Sequence, residues 1–496
     1  MLDNLALGFA TATTASNLLY CFVGTFLGTF IGVLPGLGPL AAVVMLLPVS
    51  FYLPPETALV MLAGVYYGAE YGGSIASILL NIPGTPSSSI TCLDGYPMAR
   101  EGRAGVALLM TALASFFGGV FGILVIAALA PLLADFALLL EPADYFAVML
   151  LGLVAASVVS SSGTLRGVMM VTLGVLLGTI GVDVNSGATR FTGGVQDLRD
   201  GINLVVVAMG LFGVSEAMYS ARGASASYAT EKVSLQSFLP MRGEWLRCFG
   251  PALRGSLVGS FFGTLPGTGQ TVASSIGYAI EKRISPNRAN FGKGAIEGVV
   301  VPESANNAAA QTAFIPTLTL GIPGSTTMAL MIGALMIHGV TPGPRLISDH
   351  PALFWGLIVS FLFGNLFLLV LNIPLIGIWV RLLRIPHYFL YPTIVVLISI
   401  GVYSLDHSLF DVWAMLGFGV LGYVLRLYRY EPAPLLIGFI LGPMMEEYLR
   451  RAMLLSRGDP MIFLQRPGSA VMITISVLLL ALTALPGLKR LVKSIG

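Results

Sequence analysis

The strongest constraint on the fold is a pair of long apolar segments that contain no charged residue. Residues 106–134 and 352–380 each lack Asp, Glu, Lys and Arg, and about 20 apolar residues suffice to cross the hydrocarbon core of a bilayer. Only 10% of the 496 residues are charged and 56% are hydrophobic, whereas about a quarter of the residues in a soluble domain carry charge. So little charge cannot cover a water-facing surface, and the sequence therefore predicts a multi-pass membrane protein.

Further apolar segments bring the expected fold to an all-α bundle of about 12 transmembrane segments. Pro131 and Pro374 are expected to kink the two long segments, because proline removes a backbone donor. The first basic residue is Arg100, so the basic region of a cleavable signal peptide is missing, and we expect the mature chain to begin near Met1 with its first helix retained. The shorter candidate segments cover residues 17–34, 57–80, 145–161, 167–182, 201–218, 295–320, 389–403, 409–425, 433–445 and 470–486.

The two halves of the chain share two motifs in the same order. GTFIGVLPGLG at 28–38 matches GSFFGTLPGTG at 259–269, and IPGTPSSS at 82–89 matches IPGSTTM at 322–328. Two matches at a nearly constant offset indicate an internal repeat of about 230 residues. The predicted units are a first membrane repeat at 1–219, a polar cytoplasmic linker at 220–254, a second membrane repeat at 255–465, and an extra transmembrane helix with a basic tail at 466–496.

Equivalent loops of the two halves differ in charge. The loop FYLPPE at 51–56 has no basic residue, whereas its equivalent EKRISPNR at 281–288 has three. The loop at 141–144 is acidic, and its equivalent at 381–386 is basic. Because cytoplasmic loops are enriched in Lys and Arg, the pattern predicts inverted-topology repeats, with the N-terminus outside and the linker inside. One cluster disagrees, since it would lie outside: Arg450, Arg451 and Arg457.

Two Leu-Pro-Gly motifs interrupt apolar segments at matching positions of the halves. Such breaks are costly in lipid unless the freed backbone groups face a cavity or a ligand. A broken helix also places bare N–H groups and a partial positive charge deep in the membrane, which suits an anion. A simple packing kink is the alternative. The predicted substrate-binding residues here are Pro35, Gly36, Leu37, Gly38, Pro266, Gly267, Thr268, Gly269, Gln270 and Thr271.

The second pair of motifs is rich in hydroxyl groups and follows an apolar segment in each half. We interpret both as tips of re-entrant hairpins, where hydroxyl and amide groups bind carboxylate oxygens without a fixed positive charge and free carbonyls bind a sodium ion. Alternatively, the small hydroxyl residues only allow close helix packing. The predicted substrate-binding residues of this pair are Asn81, Gly84, Thr85, Ser87, Ser88, Ser89, Gly324, Ser325, Thr326 and Thr327.

Two acidic residues lie deep inside apolar segments. Glu70 follows YYGA and Glu303 lies in VPESANN, each between the two motifs of its half. An ionised carboxylate at the bilayer centre costs about 3 kcal/mol, so we expect a function for both. The predicted ion-coupling residues are these two acids with Asn306 and Asn307, whose amides suit a cation. The acids are expected to carry a proton, bind sodium, or serve only as structural partners of a neighbouring helix break.

Other functional classes find no support in the sequence. No P-loop of the form GxxxxGK[ST] occurs, and no Ser-His-Asp set is apparent, so neither ATP hydrolysis nor another enzyme activity is expected. The three cysteines and four histidines are scattered, so no cofactor and no metal site are expected beyond a sodium ion. A nucleic-acid partner is not expected either.

The combined motifs resemble those of one family, the large membrane subunit of the bacterial tripartite tricarboxylate transporters, over nearly the whole chain. The motifs that carry the resemblance are GVLPGLG at 32–38, AEYGG at 69–73, NIPGTP at 81–86, DGYP at 94–97, LPGTG at 265–269, PESANN at 302–307 and GIPG at 321–324.

The resemblance implies a cation-driven symporter in a bacterial inner membrane. It also implies a small membrane subunit of about four helices and a periplasmic solute-binding protein as partners. The implied substrates are di- and tricarboxylates such as citrate, with an aromatic carboxylate as the alternative, and the coupling ion is sodium or a proton. We expect an elevator motion against a scaffold containing residues 106–134 and 352–380. A passive anion channel, and an intramembrane enzyme or receptor subunit, are the other hypotheses.

Overall fold

The computed structural model describes residues 2–34, 36–183, 186–221, 243–265, 269–382 and 387–484, and about 80% of the chain is helical. Within these residues, six helices are long and apolar enough to cross a membrane, and shorter apolar helices accompany them. The chain is therefore a multi-pass helical membrane protein, as the sequence predicted. The only strands in the described part are Gly181–Val182 and Thr189–Arg190, which form an antiparallel pair.

The first half contains α1 (Leu2–Ala12), α2 (Ala15–Val33), α3 (Gly38–Ser50), α4 (Pro55–Leu80), α5 (Cys92–Met98), α6 (Ala104–Ala137), α7 (Pro142–Val159), α8 (Thr164–Gly178), α9 (Leu204–Ala208) and α10 (Ser215–Ala221). A 3-10 turn, Ser87–Ser89, precedes α5. Two π-helical segments, Ala99–Arg103 and Met209–Val214, join α5 to α6 and α9 to α10.

The second half contains α11 (Glu244–Gly263), α12 (Gly269–Ile284), α13 (Glu297–Thr312), α14 (Phe314–Thr319), α15 (Thr326–Ile337), α16 (Leu346–Asp349), α17 (Pro351–Asn372), α18 (Ile376–Leu382), α19 (His387–Asp406), α20 (Leu409–Leu427), α21 (Ala433–Leu455), α22 (Ile462–Gln465) and α23 (Pro467–Ala484). A 3-10 turn, Arg288–Asn290, precedes α13.

In the first half, α2 and α4 pack through glycines spaced four residues apart. Gly24, Gly28 and Gly32 lie against the backbone of Met61, Val65 and Ala69, with no room for a Cβ atom. Lipid gives no hydrophobic drive between helices, so close backbone contact through small residues holds them together. Because the residue numbers of both helices rise together along the contact, α2 and α4 run in the same direction.

The second half repeats this arrangement. Gly255, Gly259 and Gly263 of α11 lie against the backbone of α13 at Val301, Ala305 and Ala309. These helices also run in the same direction as each other. The equivalent pairs α2–α4 and α11–α13 are therefore built on the same spacing of small residues.

Helices α4 and α13 form the centre of the molecule, and residues 57–79 and 297–312 are entirely buried. They run in opposite directions, since Glu70 contacts Asn306 whereas Ser74 contacts Glu303. Each also packs on a long helix of the other half. Helix α6 contacts α13, and α17 contacts α4 through the rings of Tyr67 and Phe361, 5.1 Å apart.

The molecule has two ends along the helix axes. At one end, Glu244 at the start of α11 pairs with Arg103 at 2.6 Å, and we name this end the linker face. Helix α4 begins at the opposite end, where Tyr52 bonds to the carbonyl of Ser404 and Asn203 bonds to Asp406. The continuous helical span Leu204–Ala221, which contains α9 and α10, and helix α20 both begin at this opposite end, so they end toward the linker face.

A buried carboxylate clamps the two halves together near the linker face. Asp94 is fully buried and its Oδ1 accepts hydrogen bonds from the backbone N–H groups of the second half at positions 292 to 295, at 2.8 to 3.1 Å. Its Oδ2 accepts from the hydroxyl of Tyr278 at 2.8 Å. Because hydrogen bonds to an ionised carboxylate are strong, these contacts hold the two halves firmly together.

Two segments differ in detail from their sequence-based description. The segment 352–380 is not one helix, because α17 ends at Asn372 and α18 begins at Ile376, with Pro374 between them. Pro131, in contrast, lies inside the continuous α6.

Helix α11 begins inside the segment 220–254 that was predicted as a linker. The arginines of α11 in this segment have partners, since Arg254 pairs with Glu281 at 2.7 Å. The predicted basic tail beyond residue 484 lies outside the described residues.

Candidate functional site

All four interrupted segments of the sequence line one cavity of about 920 Å³. Both halves therefore contribute to a single compartment. The predicted site residues that line it are Gly36, Leu37, Gly38, Glu70, Gly84, Thr85, Ser87, Gln270, Thr271, Ser325, Thr326 and Thr327. The predicted residues that the structure places outside its lining are Asn81, Ser88, Ser89, Gly269, Glu303, Asn306, Asn307 and Gly324. Pro35, Pro266, Gly267 and Thr268 lie outside the described residues.

Gly36 and Leu37, from the first Leu-Pro-Gly motif, form a turn before α3. Gly36 and Gly38 adopt φ values of 90° and 58°, which are favourable for glycine and strained for other residues. Gly36 also lies close to α10, where a Cβ atom would be 3.2 Å from the hydroxyl of Ser220. In the second half, Gly269 opens α12 with a φ of 61°. Glycine at these positions thus allows left-handed backbone next to residues that line the cavity.

The hydroxyl-rich motif of the first half is a loop that packs directly on α4. Asn81 ends α4 in a left-handed conformation with a φ of 56°. Gly84 lies so close to Gly73 that no side chain fits between the two backbones. In the loop, the hydroxyls of Thr85 and Ser87 are 2.8 Å apart. The close approach places these hydroxyls beside the middle of α4.

The equivalent motif of the second half forms the start of α15. Ser325 is the N-cap, and its side chain accepts a hydrogen bond from the N–H of Met328 at 3.3 Å. Thr326 and Thr327 follow it into the cavity lining. The first N–H groups of a helix are unpaired by the helix itself and carry partial positive charge. This wall of the cavity therefore offers hydroxyl and N–H donors to an anion.

Glu70 links the cavity to both halves. It is 2% exposed and lies in the middle of α4. Its Oε2 accepts hydrogen bonds from Ser87 of the first-half loop at 3.0 Å and from the amide of Asn306 on α13 at 3.1 Å. No Lys or Arg of the described chain forms an ion pair with it at 4 Å or less. A carboxylate held only by neutral donors is suited to take up a cation or a proton.

Glu303 has a different environment. Its carboxylate accepts hydrogen bonds from three hydroxyls, those of Ser74 at 2.7 Å, Thr91 at 2.5 Å and Ser115 at 3.1 Å. It does not line the cavity. Asn307 donates to the backbone carbonyl of Glu303 at 3.0 Å. Of the four predicted ion-coupling residues, Glu70 therefore lines the cavity, Asn306 contacts Glu70 from behind through one hydrogen bond, and Glu303 and Asn307 are packed away from the cavity.

The sequence analysis missed a charged rim on the cavity. Its residues come from α10, from the start of α8 and from the connection between α20 and α21. The charged and aromatic residues of this rim are Arg166, Glu216, Tyr219, Arg426, Arg429, Tyr430 and Glu431. In the sequence they resemble ordinary charges at helix ends. The run SSSGTLR at 160–166, with hydroxyls and a guanidinium after an apolar helix, is the signal that points to this site.

The fold and this compartment define a polytopic membrane protein with a cavity that both halves line. A profile of the tripartite tricarboxylate transporter TctA family matches residues 18–437. The chain belongs to this family of transporters, which confirms the resemblance found in its motifs. The tripartite system of the family includes a small membrane subunit and a periplasmic binding protein.

Two similar proteins come from Agrobacterium vitis, and neither has a characterised function. One, described as an uncharacterized 52.8 kDa protein in the TAR-I ttuC' 3' region, is 48% identical over 489 residues, which is 99% of this chain and 97% of the relative. The other, an uncharacterized protein in the TAR-II ttuC' 3' region, is 54% identical over 231 residues, which is 47% of this chain and 96% of the relative. No solved structure matches the chain.

Proposed function

We propose that this protein is the translocating subunit of a tripartite, cation-coupled importer of di- and tricarboxylates in a bacterial inner membrane. A periplasmic binding protein delivers the substrate, and a small membrane subunit completes the complex. The single observation that carries the proposal is that residues of all four motif regions, two from each half, line one cavity of about 920 Å³, the second Leu-Pro-Gly region through Gln270 and Thr271. This volume lies in the range of small-molecule sites.

In this proposal the substrate binds by its carboxylate to the donors of the motif loops. The N–H groups and hydroxyls at Ser325, Thr326 and Thr327 hold carboxylate oxygens. Thr85 and Ser87 do the same from the first half. Uncharged donors bind an anion without the large desolvation cost of burying a fixed cation, and they allow its release.

Glu70 couples transport to the cation. An empty, ionised Glu70 repels a carboxylate substrate in the same cavity, because like charges interact strongly in a medium of low dielectric constant. Binding of sodium or a proton at Glu70 removes that repulsion. It also alters the hydrogen bond that Ser87 donates to this carboxylate, and Ser87 is part of the loop that binds the substrate in this proposal. Substrate and cation thus favour each other's binding, as linkage requires.

The proposed motion follows from an inverted-repeat arrangement. Support comes from the opposite directions of α4 and α13, each packed on an equivalent glycine-bearing helix of its own half. We place α6 with the substrate-carrying part rather than with the scaffold, because Gly118 lies against the backbone of Ser304 on α13 with no room for a Cβ atom. The scaffold is then α7, α8 and α21, where Gly174 packs on Leu435 in the same way. An elevator motion occurs between these parts.

The test is uptake by the reconstituted tripartite complex in proteoliposomes. Radiolabelled succinate, citrate, tricarballylate and benzoate are offered, with sodium and pH gradients varied separately. Uptake that depends on the binding protein and collapses with one cation gradient is expected. Uptake of benzoate-type acids alone would indicate an aromatic carboxylate importer. Flux that persists after both gradients are removed would indicate a passive anion channel and contradict the proposal.

A further inference from the structure

Three guanidinium groups line the rim of the cavity toward the linker face, and they differ in their partners. Arg426 forms an ion pair with Glu216 and lies over the ring of Tyr219. Its charge is therefore neutralised inside the protein. Arg166 and Arg429 line the same cavity, and neither forms an ion pair with a carboxylate of the residues that the structure describes.

Arg166 is held in place without being neutralised. It is half-buried near the start of α8. Its guanidinium donates a hydrogen bond to the carbonyl of Arg429 at 3.2 Å and lies 5.1 Å from the centroid of the Tyr430 ring. Guanidinium has five N–H donors, so these contacts orient the group and leave donors for an anion. A flat ring beneath it also shields it from water on one side.

The nearby acid of the rim already has donors. Glu431 accepts hydrogen bonds from the N–H and hydroxyl of Ser161, at 2.7 and 2.8 Å, and from the hydroxyl of Ser160 at 3.0 Å. This carboxylate caps the turn before α8. It stabilises the loop that carries Arg166 and does not supply the counter-charge of that arginine.

Arg429 occupies a position where glycine is usual. After α20 ends, the N–H of Arg429 bonds to the carbonyl of Arg426 at 3.0 Å, and the N–H of Tyr430 bonds to the carbonyl of Leu425 at 2.8 Å. This pair of bonds is a Schellman cap, and its central residue adopts a left-handed conformation that glycine tolerates best. Arg429 has a φ of 60°. Arg429 is exposed and belongs to the cavity lining, so this cap holds the residue at the edge of the site.

We infer that Arg166 and Arg429 bind a second carboxylate of the substrate, while the motif loops bind the first. The inference rests on the proposed function, and it adds the reason why the site prefers anions with two or three carboxylates. A planar guanidinium matches a carboxylate with two parallel hydrogen bonds. A monocarboxylate held by the loops leaves both arginines unused and gains nothing from them.

The experiment compares three variants of the complex in proteoliposomes: Arg166→Gln, Arg429→Gly and the control Arg199→Gln. Arg199 is exposed and does not line the cavity, so its variant removes the same charge from elsewhere. Uptake of labelled succinate and citrate is measured over a concentration series, with butyrate as a monocarboxylate competitor. Melting curves of the purified variants verify folding.

Each arginine variant is expected to raise the half-saturating concentration of succinate and citrate about tenfold or more, because a charge-assisted hydrogen bond is lost. The inhibition constant of butyrate is expected to stay unchanged in these variants. The control Arg199→Gln is expected to behave as the wild type. Arg429→Gly is expected to melt at the same or a higher temperature, since it relieves the strained backbone. If Arg429→Gly takes up these anions more weakly but is as stable as the wild type, the arginine acts in anion binding and not in holding the fold.

The outcomes distinguish this inference from the proposed function. A wild-type complex that transports no carboxylate would overturn the proposed function and this inference with it. Wild-type transport with unchanged affinities in both arginine variants would overturn the inference alone. The inference also fails if butyrate inhibition and succinate affinity weaken by equal factors, because the arginines would then not discriminate the second carboxylate.

Discussion

Glu70 and Glu303 occupy corresponding stretches of the two halves, yet their surroundings differ. Glu70 lines the cavity and accepts hydrogen bonds from Ser87 of the hydroxyl-rich loop and from Asn306 of the opposite half. Glu303 is sealed among three hydroxyls, away from the cavity. Repeated sequence has thus produced two kinds of buried acid. Its place in the cavity lining makes Glu70 accessible to a cation, whereas Glu303 has hydrogen-bond partners on or next to three other helices.

The largest effect that tests this contrast is expected from Glu70→Gln. The variant cannot bind a proton or contribute a charge to a sodium site, and it loses charge-assisted hydrogen bonds of about 1.5–3 kcal/mol. We expect uptake to fall about 100-fold or to lose its cation dependence, while the complex still assembles. Initial uptake rates over sodium and pH series provide the measurement. Normal rates with normal cation dependence would remove Glu70 from the coupling role.

Gly84→Ala tests whether the loop must touch α4 for Glu70 to work. The added methyl collides with the backbone of Gly73, so the loop moves and Ser87 loses its bond to Glu70. We expect uptake to fall about tenfold, the equivalent of one lost hydrogen bond to a charged group. Gly417→Ala is the matched control, because a methyl added there meets nothing within 4 Å. Equal uptake by the two variants would contradict the proposed contact.

Glu303→Gln is expected to act mainly on stability. Its amide must fit among three hydroxyls that now donate to a carboxylate, and a mismatch at a buried hydrogen-bonded group costs about 1–3 kcal/mol. The melting temperature of the purified subunit should fall, while the ratio of uptake with and without the cation gradient stays that of the wild type. An altered cation dependence at undiminished stability would make Glu303 a coupling residue after all.

Ser115→Ala is expected to give the smallest effect. It removes one of the three donors of Glu303, a bond of 3.1 Å from α6, and such a bond contributes about 1 kcal/mol. The melting temperature is expected to drop slightly with unchanged uptake. Ser87→Ala serves as the counterpart at Glu70, and there uptake rather than stability should change. If both serine variants behaved alike, the two acids would not differ in role.

The sequence carried enough information to locate the cavity, but not to identify all the residues that line it or to distinguish the two buried acids. Breaks at Pro-Gly pairs are visible because apolar segments should not be interrupted in lipid, and the broken segments of both halves line the same compartment. The distinction between Glu70 and Glu303 was not visible, because it depends on which hydroxyls of distant helices meet each carboxylate. Ser115, for instance, lies 188 residues from Glu303 in the chain.

The rim arginines were missed for a related reason. Arg166 is positioned by the carbonyl of Arg429, 263 residues away, and neither lies in an apolar segment where a charge would be conspicuous. The role of Asp94 is equally invisible in the sequence, since a carboxylate near the end of an apolar segment resembles an ordinary interfacial residue. Only the folded chain brings four consecutive N–H groups to its Oδ1.

The Asp94 clamp has a consequence for how the chain is assembled. It joins the halves through space, as does the contact of α6 with α13, so we expect the halves to stay associated without a covalent connection. The protein resembles a heterodimer whose two subunits happen to share one chain. Separately expressed fragments 1–221 and 243–496 are therefore expected to copurify, and either fragment alone to be degraded in the cell.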